Sequence, residues 1–381
     1  MRHGRRARAF GRGYSGKAGR GSIAWLLVSI SLAAGTAGAQ AQDLESRAAA
    51  ARDADDVTTA LGLYRQAVQE KPGWLEGWWF LGLLNYQSQR FADARQAFAE
   101  FTKLNPAGAA GWAFLGLCEY ETGDYNGALP HLERGLAGGG RLEPEVAQVA
   151  RFHRALLLTR AGKFDRARGE LEPFVARGIH DRVLTAGLGL NALDIPALPQ
   201  ETPAAQRELI EMAGKTAYAW IKGDTSETEA AFRALLSAYP SAPGVHYLYA
   251  TYLLAPRSVA VNGELQRELE VNPGNSRARA TLALRLAEAG AAAAALPLAR
   301  KAVADSPGLA LAQDAYGVVL LKTGAFSEAI EHLQEAVRIA PENLGYHTAL
   351  ATAYSEAGRY GEARSERQAS IKLAEESRGP G

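Results

Sequence analysis

Residues 77–86, GWWFLGLLNY, return as GWAFLGLCEY at 111–120, so one phrase begins twice at an interval of 34 residues. The same interval separates Pro72 from Pro106, and Pro273 from Pro307 from Pro341. It also spaces Ala60, Ala94 and Ala128, then Ala295, Ala329 and Ala363, then Gly290, Gly324 and Gly358. A fixed period of this length constrains the fold more than any other feature. It marks stacked supersecondary units, none of which buries its apolar face alone. Alanine and glycine are abundant and β-branched residues form no alternating runs, which points to helices packed closely through small residues.

The conserved places of the period resemble the tetratricopeptide repeat, with its pattern W-x2-L-G-x2-Y, then A-x3-F, then A and P. In 75–108 the matches are Trp78, Leu81, Gly82, Ala94, Phe98 and Pro106, with the aromatic one place late at Tyr86. In 109–142 they are Trp112, Leu115, Gly116, Gly123, Ala128 and Leu132, with Gly140 in place of the closing proline. In 310–343 Gly317, Gly324, Ala329, Leu333, Ala336 and Pro341 fit, and Gln313 stands where tryptophan is usual. In 344–377 Leu350, Tyr354, Gly358 and Ala363 fit, while Arg367 and Ser370 replace apolar residues, as in a terminal cap with no neighbour to pack against. Weaker copies cover 41–74, 148–181, about 208–241, 242–275 and 276–309. The resemblance implies an all-α fold, an α-solenoid of stacked helix–turn–helix units. Gly82, Gly116 and Gly317 leave room for the second helix of each hairpin, and Ala94, Ala128 and Ala329 do so from the other side. Gly123, Gly324 and Gly358 end first helices in the left-handed conformation.

The resemblance also implies a concave groove lined by first helices, with ligands that are extended peptides or helices. The second, fifth, ninth, twelfth and thirteenth repeat positions face it. Here these include Trp79, Leu83, Tyr86 and Gln87, then Leu117, Tyr120 and Glu121, and in the C-terminal half Arg277, Leu284, Glu288, Asp314, Lys322 and Glu356. Exposed aromatics at such places are binding anchors, although Trp79 fits a core position equally well. Chaperone-type repeats that clamp a terminal carboxylate use Lys, Arg and Asn in the groove. Trp79, Leu83, Ala113 and Leu117 occupy those places here, so that ligand is not carried over.

The first 41 residues follow another logic. Arg2, Arg5, Arg6, Arg8, Arg12, Lys17 and Arg20 precede a short apolar run at 23–34, and Ala37, Ala39 and Ala41 follow. A basic segment, an apolar segment and an A-x-A ending predict a secretory signal. The apolar run falls short of the roughly 20 residues that span a bilayer, and an uncleaved anchor is the alternative. Removal of these seven cations from a total of 42 leaves 35 against 41 acids, a formal charge of −6. That argues against nucleic acid as a partner, since phosphate binding needs a basic stripe. Cys118, the single cysteine, forms no intrachain disulfide and reads as a buried thiol.

Apparent catalytic motifs dissolve on inspection. GRGYSG at 11–16 neither follows a strand nor opens a helix, and Gly214-Lys215-Thr216 lacks the first glycine of a P-loop. His131, His153, His180, His246, His332 and His347 form no H-E-x-x-H pair, and His246 among aromatics reads as a hydrogen-bonded packing residue. Glu328, Glu331 and Glu335 share a solvated helix face. No catalytic residue, metal or cofactor is expected.

Pro196, Pro199 and Pro203 break the helical pattern, so the expected organisation is a signal at 1–41, an N-terminal array at 42–190, a proline-rich break at 191–204 and a C-terminal array at 205–377. The function expected is a non-catalytic exported scaffold, in the periplasm or cell envelope, binding protein or peptide partners. The rivals are an accessory repeat subunit of an envelope enzyme complex and an organiser tethered by its uncleaved N-terminus.

Overall fold

The computed structural model describes residues 39–137, 142–254 and 260–378, and the described residues are helical with no strand. The signal segment and its GRGYSG motif lie outside them; the first described helix, Ala39–Asp53, begins at the expected cleavage region. No described helix is long and apolar enough to cross a membrane. The chain forms two compact units divided after Asp224.

In the first unit consecutive helices pair as hairpins: α1 (Ala39–Asp53) with α2 (Val57–Glu70), α3 (Leu75–Gln87) with α4 (Phe91–Leu104), α5 (Ala109–Thr122) with α6 (Tyr125–Ala137), and α7 (Pro144–Arg160) with α8 (Phe164–Ala176). Then α9 (Arg182–Ala192) pairs with α10 (Arg207–Lys222). The second unit opens with α11 (Thr225–Ala238), followed by α12 (Val245–Leu254) on α13 (Val261–Val271). Three regular hairpins follow: α14 (Ser276–Glu288) on α15 (Ala292–Asp305), α16 (Ala310–Lys322) on α17 (Phe326–Ile339), and α18 (Leu344–Glu356) on α19 (Tyr360–Arg378).

The small residues of the period sit where the paired helices touch. A Cβ on Gly82 would lie 2.7 Å from the Phe98 ring, one on Gly116 2.8 Å from Leu132 Cγ, and one on Gly317 2.6 Å from Leu333 Cγ. Ala94, Ala128 and Ala329 on the paired helices are fully buried, as are Ala60, Ala295 and Ala363 at the same place of other hairpins. First helices end in the left-handed conformation at Gly123 (φ 84°), Gly290 (82°), Gly324 (82°) and Gly358 (74°). Gln89 and Asp55, one and two periods before Gly123, adopt it too, each at φ 59°. A side chain there costs on the order of 1 kcal/mol, which the hairpin geometry imposes all the same.

A second periodic device lies in the first turns. Trp78 Nε1 donates to the Pro72 carbonyl at 2.8 Å, and Trp112 Nε1 to that of Pro106 at 2.9 Å. Gln313 Nε2 makes the same bond to Pro307 (2.8 Å), His347 Nε2 to Pro341 (2.9 Å) and His246 Nε2 to Pro240 (2.9 Å). Arg279 donates likewise to Pro273. Each donor reaches back six residues and ties its helix to the preceding turn. The second helix then holds the donor: the Trp112 ring lies 5.1 Å from the His131 ring, and the Arg134 guanidinium lies 3.8 Å over it. His332 Nδ1 meets Gln313 Oε1 at 2.7 Å, and His347 Nδ1 meets Glu366 at 2.6 Å. Gln313 is therefore no defect in the repeat. It supplies the N–H that tryptophan supplies elsewhere.

The proline-rich stretch 191–204 interrupts the helix without interrupting the packing. Across it α9 and α10 meet backbone to backbone, so that a Cβ on Gly189 would lie 1.9 Å from the Ile210 carbonyl oxygen and one on Gly214 1.9 Å from that of Thr185. The division into units falls after Asp224 instead, and the expected copy at about 208–241 straddles it. In α19 Arg367 donates to Ser355 Oγ at 2.6 Å, while Tyr360 and Ile371 are left 70% and 58% exposed.

Replacing Gly82 or Gly317 by leucine forces apart a contact with no space for a first carbon, and is expected to lower stability by about 1–3 kcal/mol or more. Denaturant unfolding of each variant measures it; two unchanged midpoints would mean that the paired helices do not meet there.

Candidate functional site

The expected groove residues divide by burial. Gln87, Glu121, Glu288, Lys322 and Glu356 are exposed. All five occupy the thirteenth place of their repeat, at the C-terminal ends of α3, α5, α14, α16 and α18, and so form one row within each unit. Arg277 and Leu284 are half-buried.

Leu83, Leu117 and Asp314 offer no surface: all three are buried. Trp79, Tyr86 and Tyr120 are half-buried and packed against the core around Phe98, Phe114 and Leu132. Trp79 lies 5.7 Å from Phe98, 5.1 Å from Phe101 and 5.7 Å from Phe114, ring centre to ring centre. Tyr86 meets Phe91 at 5.5 Å and Phe114 at 5.2 Å, both edge to face. Burial raises the hydroxyl pKa of Tyr86 and of Tyr120. The expectation of free aromatic anchors is thereby corrected. First helices of neighbouring hairpins pack side by side as well as against their own partners, so one step around the helix still leads into protein.

Tyr120 is also covered by its own chain. The short 3-10 turn Pro199–Glu201 lies over the end of α5, where Gln200 Nε2 donates to Tyr120 Oη at 3.3 Å and to Tyr125 Oη at 3.2 Å. Arg160 fastens the turn through Glu201 at 3.1 Å and lays its guanidinium 4.9 Å from the centre of the Tyr125 ring. Gln200, Glu201 and Arg160 escaped sequence reasoning because the partners lie up to 80 residues apart, outside the repeat frame.

The chemistry-bearing side chains serve structure. Cys118 is fully buried, and burial, with Glu119 and Glu121 nearby, pushes its thiol pKa up, away from nucleophilic character. His246 is held by Glu264 (2.7 Å) and the Pro240 carbonyl, as its aromatic setting led one to expect. His153 donates from Nδ1 to the Val149 carbonyl at 2.8 Å, and burial lowers its pKa. Among the described residues no group of three or more His, Cys, Asp or Glu is arranged to hold a metal. Asp314 is poorly paired: it is 8% exposed, its Oδ1 has no hydrogen-bond partner among the described residues, and burial raises its pKa to about 7.

A family model described as tetratricopeptide repeat matches residues 81–145 and 281–343, and a second such model matches 320–368. No curated protein matches the chain. Similar solved structures include MamA, residues 41 to the end, from Desulfovibrio magneticus RS-1, at 18% identity and a TM-score of 0.37, over 45% of this chain and 98% of that one. A MamA designated AMB-1 matches at 23% identity and a TM-score of 0.34, over 42% of this chain and 95% of its own. The Cut9–Hcn1 hetero-tetramer of the APC/C matches at 15% identity and a TM-score of 0.40, over 88% of this chain and 67% of that one.

Replacing Tyr86 and Tyr120 together by alanine is expected to lower the unfolding free energy by about 2–5 kcal/mol, since each ring leaves a packed site. An unchanged melting curve would return both rings to the surface. Asp314→Asn tests the buried carboxyl. A folded-state pKa raised above the unfolded 3.8 means that wild-type stability falls as pH rises from about 4 to about 7 and then levels off. The asparagine variant is thus expected to out-melt wild type at pH 8 and to match it more nearly at pH 4, by calorimetry at both; a gain independent of pH would remove burial of the charge as the cause.

Proposed function

This chain carries tetratricopeptide repeats, and on that premise we propose that it is a non-catalytic, exported scaffold that binds protein partners in the periplasm or cell envelope. The repeats themselves carry the reading, since such arrays serve as protein–protein interaction scaffolds. In support, side chains that bear chemistry elsewhere are committed to packing here, while the thirteenth-position row stays exposed: Gln87 and Glu121 in the first unit, Glu288, Lys322 and Glu356 in the second. Such a row of polar side chains presents the rim of an interface, and charges of this kind set partner choice and association rate. Export rests on the basic and apolar segments of residues 1–41. The same segments left uncleaved would make the protein a tethered organiser.

The test joins location to binding. Protein recovered from the envelope fraction is expected to begin at Gln40 or Gln42 by N-terminal sequencing and to retain specific protein partners through affinity purification. Substituting Gln87, Glu121, Glu288 and Lys322 together should release at least one partner without altering the melting curve. An intact Met1 in sedimenting membranes would favour the tethered organiser. A mature protein that enriches nothing over an unrelated acidic control would overturn the scaffold.

A further inference from the structure

Arg47, Arg95, Arg160, Arg166, Arg182, Arg279, Arg338 and Arg359 each pair with a carboxylate. Three other arginines gather around one carboxylate. A cleft of about 310 Å³ between α7 and α8 is lined by Arg151, Arg154 and Arg177 against the single carboxylate of Glu170. Glu170 pairs with Arg154, whose Nε is buried with no hydrogen-bond partner among the described residues. Arg151 and Arg177 are exposed, and neither side chain has an ion-pair partner among the described residues. The cleft therefore holds two guanidinium charges in excess, beside the buried ring of Phe174.

The repeat frame explains why these charges are loose. In 148–181, Arg151 stands at the fourth place, where Trp78, Trp112, Gln313 and His347 donate to a proline carbonyl six residues upstream. Six residues before Arg151 is Glu145, already inside α7, so that receptor does not exist and the cation is left facing the cleft. Room is present too: a Cβ on Gly169, which lines the cleft, would meet nothing within 4 Å.

We propose that this cleft binds an acidic peptide segment of a protein partner, with carboxylates on Arg151 and Arg177 and an apolar side chain against the exposed Pro173. Planar guanidiniums bind carboxylates bidentately, and two unneutralised ones beside an apolar wall select a segment that alternates acidic and apolar residues. Arg151, Arg154 and Arg177 lie outside the groove positions of the repeat, so this is a separate site. It rests on the scaffold reading only for the identity of the ligand as a partner protein.

A fluorescein-labelled Glu-Leu-Asp-Glu peptide, followed by anisotropy with the mature protein, tests it. The peptide is expected to bind, its Gln-Leu-Asn-Gln counterpart to bind at least tenfold more weakly, and affinity to fall with salt. Arg151→Glu with Arg177→Glu, and separately Gly169→Trp, which fills the cleft from an open position, should each weaken binding at least tenfold with unchanged melting. No binding of the acidic peptide, equal binding of its amide counterpart, normal binding by both variants, or displacement by inorganic phosphate at lower concentration than by unlabelled peptide would each overturn it. The scaffold reading fails separately: a protein that binds the peptide in the cleft yet enriches no envelope protein keeps the site and loses that function. One that enriches partners but ignores the peptide does the reverse.

Discussion

Everything in this protein depends on how closely two helices of one hairpin approach each other. Gly82, Gly116 and Gly317 have no space for even a first side-chain carbon, and the alanines opposite are sealed from solvent. Close contact of this kind leaves no tolerance in hairpin geometry, and the period of the chain follows from that. It also forces Gln89 and Asp55 into a conformation that glycine occupies elsewhere in the same series. The helices of one hairpin still leave an apolar face open, and stacking on the next hairpin closes it.

The fold was legible because its determinants are periodic. Glycine, alanine and proline at one interval announce helix pairs, and Arg367 and Ser370 in the helix at 360–378 depart from its apolar places. The first-turn bond was hidden by chemistry rather than by distance. Tryptophan, glutamine, histidine and arginine share no obvious property except an N–H on a side chain of sufficient reach, so Gln313 looked like a departure from the pattern when it satisfies it. The glycine crossing of α9 and α10 was obscured by the prolines between them, which break a helix but say nothing of whether its neighbours touch.

The interaction surface was less legible than the fold. Repeat position identifies which side of a first helix turns away from its own partner, but not how deeply the adjacent hairpin covers it. Tyr86 and Tyr120 show the consequence: each lies at an inward-facing place and each is enclosed, Tyr120 in part by a turn from residues 199–201. Asp314 is enclosed as well, at a cost that its raised pKa records. Of the expected groove residues the polar row at the thirteenth position stays exposed, and the arginine cleft of α7 and α8 lies outside those positions. Arg151 lines that cleft at the fourth place of a repeat whose first helix begins early, so that the residue six places before it, Glu145, already lies inside the helix.

The central claim is that stability resides in hairpin contacts repeated along the chain, each unit holding itself together through nearest neighbours. Native-state hydrogen exchange, resolved by peptide, tests it most directly. The account predicts protection that recurs with the repeat period, strongest where helices meet at Gly116 and Gly317 and lowest in the terminal helix Tyr360–Arg378. Protection that is uniform through each unit, or highest in that terminal helix, would contradict it.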